Sequence, residues 1–258
     1  MDNKESFGAE IGKQIPIKEI YNDLAHPTLS TVGQTLQGAT RIALTPISAL
    51  IWGYDKISAY LDIAIPEYFA KRKVQKEKVQ TPDPSIAVPT IVALQYTAHK
   101  PELREMFTNL LGASMNKDTC NDGHPAFVEI IKQLTPDECK ILRYLATDSR
   151  MPMIKIREQV VGSEGQLDTT PYFSDIVFTC ECSFPSKFPE YLNNLNRLGL
   201  IDVFYDTYLT DDTYYAQLRS NPHFPIFSDN EFIKYEEKKS MYELSQFGKE
   251  FCKICIQD

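Results

Sequence analysis

From Leu29 to Tyr68, apolar and small residues recur in steps of three and four: Leu29, Val32, Leu36, Ala39, Ala43, Ile47, Leu50, Tyr54, Ile57, Leu61, Ala64 and Tyr68. That spacing traces one face of an α-helix. Unbroken, the helix would reach about 60 Å at 1.5 Å per residue, but Pro46 has no N–H and crowds the turn before it. Thr45 as an N-cap with Pro46 in the first helical position predicts two consecutive helices, the second ended by Pro66. Between Leu29 and Tyr54 the only charge is Arg41, yet Ser30, Thr31, Gln34, Thr35, Gln37 and Thr40 keep the stripe amphipathic. It is therefore read as a face buried against the rest of the protein or a second copy, and not as a span of a bilayer. The competing reading is a membrane-active helix pair, with Gly33, Gly38 and Gly53 for close packing and Lys71-Arg72-Lys73, Lys76 and Lys78 at lipid headgroups. A basic run at a helix end also complements the helix dipole with no membrane present.

Thr81-Pro82-Asp83-Pro84 is the clearest break in the pattern and sets a boundary between residues 1–80 and a helical middle region, 81–134. Pro89 is expected to open a helix carrying Ile91, Val92 and Leu94. Pro101 opens another, with Glu102 and Glu105 in its first turn and Leu103, Met106, Phe107, Leu110 and Leu111 on its buried face. His124-Pro125 offers a third start, running through Phe127, Val128, Ile130 and Ile131. Thr135-Pro136-Asp137-Glu138 reads as a capping box, in which Thr135 and Glu138 cover each other's backbone donors.

Residues 135–258 form the third region. Pro189 to Leu198 reads as a helix stopped by Gly199, with a strand at Leu200–Phe204, a partner strand at Lys239–Leu244 and a final helix from Ser245. With the helix at 136–147 and a possible strand at Ile154–Arg157, this order is similar to the winged-helix fold. The stretch from Thr170 to Cys182 is open between helix and strand. Winged helices often meet DNA through the helix ahead of the hairpin. Here that helix offers Lys187 and Arg197 against Glu190, and the long wing is acidic, with Asp206, Asp211, Asp212, Asp229, Glu231, Glu236 and Glu237. Phosphate contacts need several Lys or Arg, so a protein-contact or structural use is favoured. Tyr205, Tyr208, Tyr214, Tyr215, Phe224 and Phe227 suit a contact surface, or equally a cover for the module's own core.

Composition narrows the classes further. The formal charge of −8 over 258 residues disfavours a general nucleic-acid binder. Residues 1–14 lack an apolar core ahead of a cleavage site, and six cysteines then fit reduced thiols, so a cytoplasmic location is expected. Cys180, Cys182, Cys252 and Cys255 together could supply four thiolates to zinc, although small buried cysteine is the commoner reading. His26, His99, His124 and His223 are scattered. His124 with Cys120 lacks an orienting acid, and helix capping explains His124 better. Asp206, Asp211 and Asp212 could hold a metal, but a solvated acidic loop is the simpler account. No cofactor is expected, and a non-enzymatic role is favoured over an enzyme.

Trp52-Gly53-Tyr54-Asp55-Lys56-Ile57, the proline-rich break, the helix from Leu103 to Met115, His124-Pro125, Asp137-Glu138 and Asn194-Leu195-Asn196-Arg197-Leu198-Gly199-Leu200-Ile201 occur in an order that resembles the abortive-infection alpha family of bacterial proteins. The resemblance spans roughly residues 30–255, with Leu209–Lys238 set aside. It implies a role in phage defence and transfers no catalytic residues. The combined expectation is a mainly α protein with a small α+β part, its helical N-terminal and middle regions followed by a winged-helix-like domain. It would act by contact with a protein partner or by self-association, with Asp55, Lys56, Arg104 and Glu105 as candidate contact residues. The alternatives are a membrane effector using residues 29–78, recruited to the inner membrane on activation, and a nucleic-acid-directed factor.

Overall fold

The computed structural model describes residues 51–148, 150–163, 165–169 and 171–256. The apolar stripe from Leu29 to Leu50, and with it the first predicted helix, Pro46 and His26, lies outside the described residues. Those described are mainly α-helical with one small antiparallel sheet, and the chain divides into two units: Met1–Pro136 with Lys253–Asp258, and Asp137–Cys252.

In the first unit, α1 spans Tyr54–Lys71, α2 Pro84–Thr97, α3 Pro101–Ser114 and α4 Ala126–Lys132. Helix α3 packs on each of the other three, and every residue from Met106 to Ser114 is buried. Pro101 occupies its first position, as the pattern predicts. Two other prolines behave differently. Pro66, expected to end α1, stands inside it, and the helix continues through Tyr68 and Phe69. Both of these rings are buried, and burying two aromatics outweighs one missing backbone bond. Pro89, expected to open α2, also lies within the helix. The start is at Pro84 instead, because Asp83 accepts a bond from Ser85 N (2.7 Å) and Pro84 takes the first helical position.

The second unit opens with α5 (Pro136–Leu145) and continues through β1 (Arg150–Val160), β2 (Gln166–Asp168), α6 (Ile176–Thr179), α7 (Phe188–Arg197), β3 (Ile201–Phe204), α8 (Thr213–Ser220) and β4 (Ile233–Leu244), with α9 (Gln246–Cys255) after it. The sheet order is β2-β1-β4-β3, all neighbours antiparallel. Strand β4 is the hub, pairing Arg150 with Glu243 through Val160 with Ile233 on one side and Ile201 with Leu244 on the other. Both long strands exceed their sequence estimates. Strand β1 runs past Ile154–Arg157 in both directions and accepts Pro152 where β2 offers it no partner. The region from Thr170 to Cys182 supplies the short helix α6.

Helix α7 buries Phe188, Tyr191, Leu192 and Leu195 on one face and stops before Gly199, whose φ of +72° suits glycine. Helix α9 starts on Ser245, whose Oγ accepts from Gly248 N (2.8 Å) and donates to Gly199 O. The acidic segment between β3 and β4 is more than a wing loop. It contains α8, which seats Tyr215 and Leu218 against Ile154 and Ile156 of β1, with Phe173, Leu209, Phe224 and Tyr235 around them. Tyr215 OH accepts from Leu209 N (2.9 Å) and donates to Ser240 O (3.0 Å), pinning the segment to β4.

Candidate functional site

Two of the candidate contact residues, Lys56 and Arg104, meet around one ring in the first unit. Lys56 Nζ lies 4.5 Å from the Trp52 ring centroid, and the Arg104 guanidinium lies 5.4 Å from the same ring and 5.1 Å from that of Tyr60. Arg104 also donates to Ala98 O (3.0 Å), while Tyr60 packs edge-on against Trp52 and its hydroxyl meets Thr108 Oγ1 at 2.8 Å. Arg104 is half-buried and joins α1 to α3, a stacked and hydrogen-bonded role that suits a planar guanidinium. Asp55 and Lys56 are exposed, with Asp55 in the first turn of α1, and Glu105 is half-buried.

A second site forms where α1 ends. A recess of about 350 Å³ is lined by Tyr68, Arg72, Lys73 and Lys78 on one side and by Asn116, Asp118 and Lys253 on the other. The Arg72 guanidinium lies 4.1 Å from the Tyr68 ring centroid. Burial raises the Tyr68 hydroxyl above the usual tyrosine range, with the neighbouring Arg72 charge opposing it. Val74 N donates to Phe69 O (3.0 Å) and Lys73 N to Ala70 O (3.3 Å), the pair of bonds that closes a Schellman cap. Lys73 holds the left-handed position of that cap at φ +53°, where a side chain costs about 1–2 kcal/mol and glycine none. Lys78 pairs with Asp118 at 2.5 Å, and Lys253 with Asp122 at 2.9 Å. The sequence pattern showed the basic run but not this recess, because Asn116, Asp118 and Lys253 reach it only through tertiary folding.

In the second unit, a groove of about 440 Å³ on the sheet is lined by Arg157, Asp206, Tyr208 and residues 236–239. The aspartates that the sequence offers as metal ligands are engaged here in other ways. Asp206 pairs with Lys238 (2.6 Å) and Asp212 with Lys239 (2.5 Å), and Asp211 accepts from both Thr213 N and Thr213 Oγ1. These hydrogen bonds hold all three carboxyls below the usual aspartate range. Among the described residues, no group of three or more His, Cys, Asp or Glu side chains is placed to hold a metal ion.

Of the cysteines of this unit, Cys139, Cys182 and Cys252 are buried and Cys180 is half-buried. Cys182 Sγ donates to Asp137 O and Cys252 Sγ to Leu142 O, each at 3.9 Å. Burial pushes the thiols of Cys180 up to about 11 and of Cys182 and Cys252 up to about 12, the opposite of what a nucleophile needs. Cys180 and Cys182 flank Glu181, which takes the left-handed position of a second Schellman cap at φ +50°. Their spacing therefore serves a helix end. His124 Nδ1 accepts from Ala126 N (3.1 Å), a capping role, and His223 stacks on Phe178 at 4.4 Å.

Sequence reasoning placed Asp137 in a local capping motif and missed its long-range partners. Asp137 accepts from Ser183 N (2.8 Å), Phe184 N (3.0 Å) and Tyr191 OH (2.8 Å), while Glu138 beside it accepts from Asn194 Nδ2 (2.7 Å). Burial would raise the Asp137 carboxyl, but the bonds from Ser183, Tyr191 and Phe184 outweigh it and hold the group below the usual range.

These features define a mainly helical protein with a small antiparallel sheet, a basic recess in one unit and an ion-paired groove in the other. The chain belongs to the abortive infection alpha family, whose profile matches residues 61–255. The match begins at Leu61, so Trp52–Ile57 precedes it, and its bounds enclose the Leu209–Lys238 region. No curated protein matches the chain. A solved structure of an uncharacterized protein from the hydrocarbon-degrading marine bacterium Alcanivorax borkumensis SK2 is 17% identical, covering 51% of this chain and 92% of its own at a TM-score of 0.34. A superposition that loose defines neither fold nor function. Among the described residues, no helix is long and apolar enough to cross a membrane.

Proposed function

We propose that the protein is a non-enzymatic phage-defence factor of the abortive-infection type, working in the cytoplasm through protein–protein contacts made by its second unit. The observation that carries this reading is the set of apolar side chains presented by the segment between β3 and β4. Ile226 is 89% exposed and Phe232 67%, with Tyr205, Tyr208, Tyr214 and Phe227 exposed beside them in sequence. Tyr215 anchors the same segment to the sheet, so these side chains stand on a folded support. Aromatic side chains on a firm scaffold are the usual anchors of protein interfaces.

We further infer that this unit is arranged as a winged helix. Supporting this are the chain order α5, β1, α6 and α7, β3, β4 and a sheet in which β1 and β3 flank β4. The use as a DNA reader has less support. The exposed positions of α7 include Glu190, Asn193, Asn196 and Arg197, and Arg197 Nη2 already donates to Asn194 Oδ1 (2.6 Å). With Lys187 exposed just ahead of the helix, two cations against one carboxylate still make a poor phosphate surface.

The test is phage protection in cells carrying Ile226→Asp or Phe232→Asp, with thermal melting of each purified variant. Loss of protection from proteins that melt like wild type supports the contact surface. Full protection from both variants would overturn it.

A further inference from the structure

The recess at the end of α1 belongs to the first unit, whereas the contact surface just proposed belongs to the second, and three observations converge on the recess. Its volume of about 350 Å³ is that of a small-molecule site. Among the described residues its walls carry Arg72, Lys73, Lys78 and Lys253 against one carboxylate, that of Asp118, in a chain whose formal charge is −8. Asp118 takes Lys78, Asp122 takes Lys253, and among the described residues no carboxylate is paired with Lys73. The third observation is conformational. Lys73 is held at φ +53° in a helix cap that glycine would fill without strain, so a cationic residue lines the recess at a cost to the backbone.

We propose that this recess binds a compact phosphate-bearing anion. Lys73 supplies the counter-charge, Arg72 lines the recess beside it, and Lys78 is shared between the ligand and Asp118. The Tyr68 ring is already packed against the Arg72 guanidinium and so close to Gly112 that a Cβ there would come within 2.4 Å of it. It is therefore no platform for a nucleobase, and recognition falls on the phosphate charge. Phosphate of this kind reaches the recess either on a soluble molecule or on a lipid headgroup.

Calorimetric titration of the full chain with sodium pyrophosphate, against sodium chloride at matched ionic strength, tests the soluble source. Sedimentation with phosphatidylglycerol vesicles, against phosphatidylcholine vesicles, tests the headgroup. The expected result is pyrophosphate binding weakened roughly tenfold by Lys73→Gly and by Lys78→Gln, with Lys73→Gly melting at or above wild type. Loss of strain together with loss of binding separates a ligand role for Lys73 from a structural one. Binding confined to the anionic vesicles and lost in the same variants would also support the site and assign the phosphate to a headgroup. Binding in neither arm above its control, or affinity unchanged in both variants, would overturn the proposal. Either result leaves the contact surface around Ile226 and Phe232 untouched.

Discussion

A methyl group placed on Gly112 would stand 2.4 Å from Cδ1 of Tyr68, closer than any real carbon contact allows. The ring of α1 therefore lies directly on the backbone of α3, and the same ring carries the Arg72 guanidinium 4.1 Å from its centroid. Helix contact, ring position and the basic recess are thus one arrangement. Gly112→Ala is expected to cost about 1–3 kcal/mol by overpacking, lowering Tm by roughly 3–10 °C for a protein of this size. Combining it with Tyr68→Leu should recover part of that loss, because the two changes share a contact. Thermal denaturation of the two single variants and the double variant measures this, and strict additivity would refute the packing argument.

Asp137 supports a different prediction, one with a sign in pH. Its folded carboxyl is held below the usual range by Ser183 N, Tyr191 OH and Phe184 N, so its contribution to stability is fully present above the unfolded pKa of about 4. That contribution is lost as pH falls below about 4 and through the folded value. Asp137→Asn should flatten this part of the acid limb of stability against pH. Asp137→Ala, which takes the acceptor from two part-buried backbone donors and from the buried Tyr191 hydroxyl, should cost about 1–3 kcal/mol at pH 7. Urea unfolding from pH 3 to 7 compares the three proteins, and parallel acid limbs for wild type and the Asn variant would refute the assignment.

The same residue shows where the sequence stops being legible. Pro101, Gly199 and the Lys239–Leu244 strand could be read directly because each signal is local: a helix start, a helix stop and an alternating β-prone run. Asp137 looked like part of a local capping box, yet its partners lie 46, 47 and 54 residues away, and no spacing rule reaches them. Pro66 and Pro89 misled for a related reason, since burial of Tyr68 and Phe69 and the Asp83 cap override what a proline dictates locally. Gly248 belongs to the same class. A Cβ there would meet Leu200 O at 1.9 Å, a backbone approach invisible until α9 is seated. Of the candidate contact residues, the sequence marked Lys56 and Arg104 but could not show that both converge on Trp52.

That convergence makes Arg104 separable from its neighbours. Arg104→Ala removes a guanidinium beside two aromatic rings and a bond to Ala98 O, and is expected to cost about 1–3 kcal/mol. Arg104→Lys should restore little of it, because an ammonium lacks the planar fork. Asp55→Ala, at an exposed first-turn position, should change stability by no more than about 1 kcal/mol. Chemical denaturation ranks the three, and equal effects of Arg104→Ala and Asp55→Ala would refute the pinning role.

The buried thiols give a prediction that separates packing from reactivity. Cys182 and Cys252 are nearly fully buried, bonded to backbone carbonyls and pushed up to about 12, so almost no thiolate exists at pH 8. Iodoacetamide at that pH should leave both unmodified in the folded protein over hours and modify both within minutes in urea. Mass spectrometry of tryptic peptides reads each site separately. Cys182→Ala and Cys252→Ala should then cost about 1–2 kcal/mol apiece through lost packing. They should leave phage protection unchanged, since neither thiol borders the exposed set at Ile226 and Phe232 in the chain. Rapid native labelling of Cys182, or protection lost with the fold intact, would move that residue from the core to the chemistry of the protein.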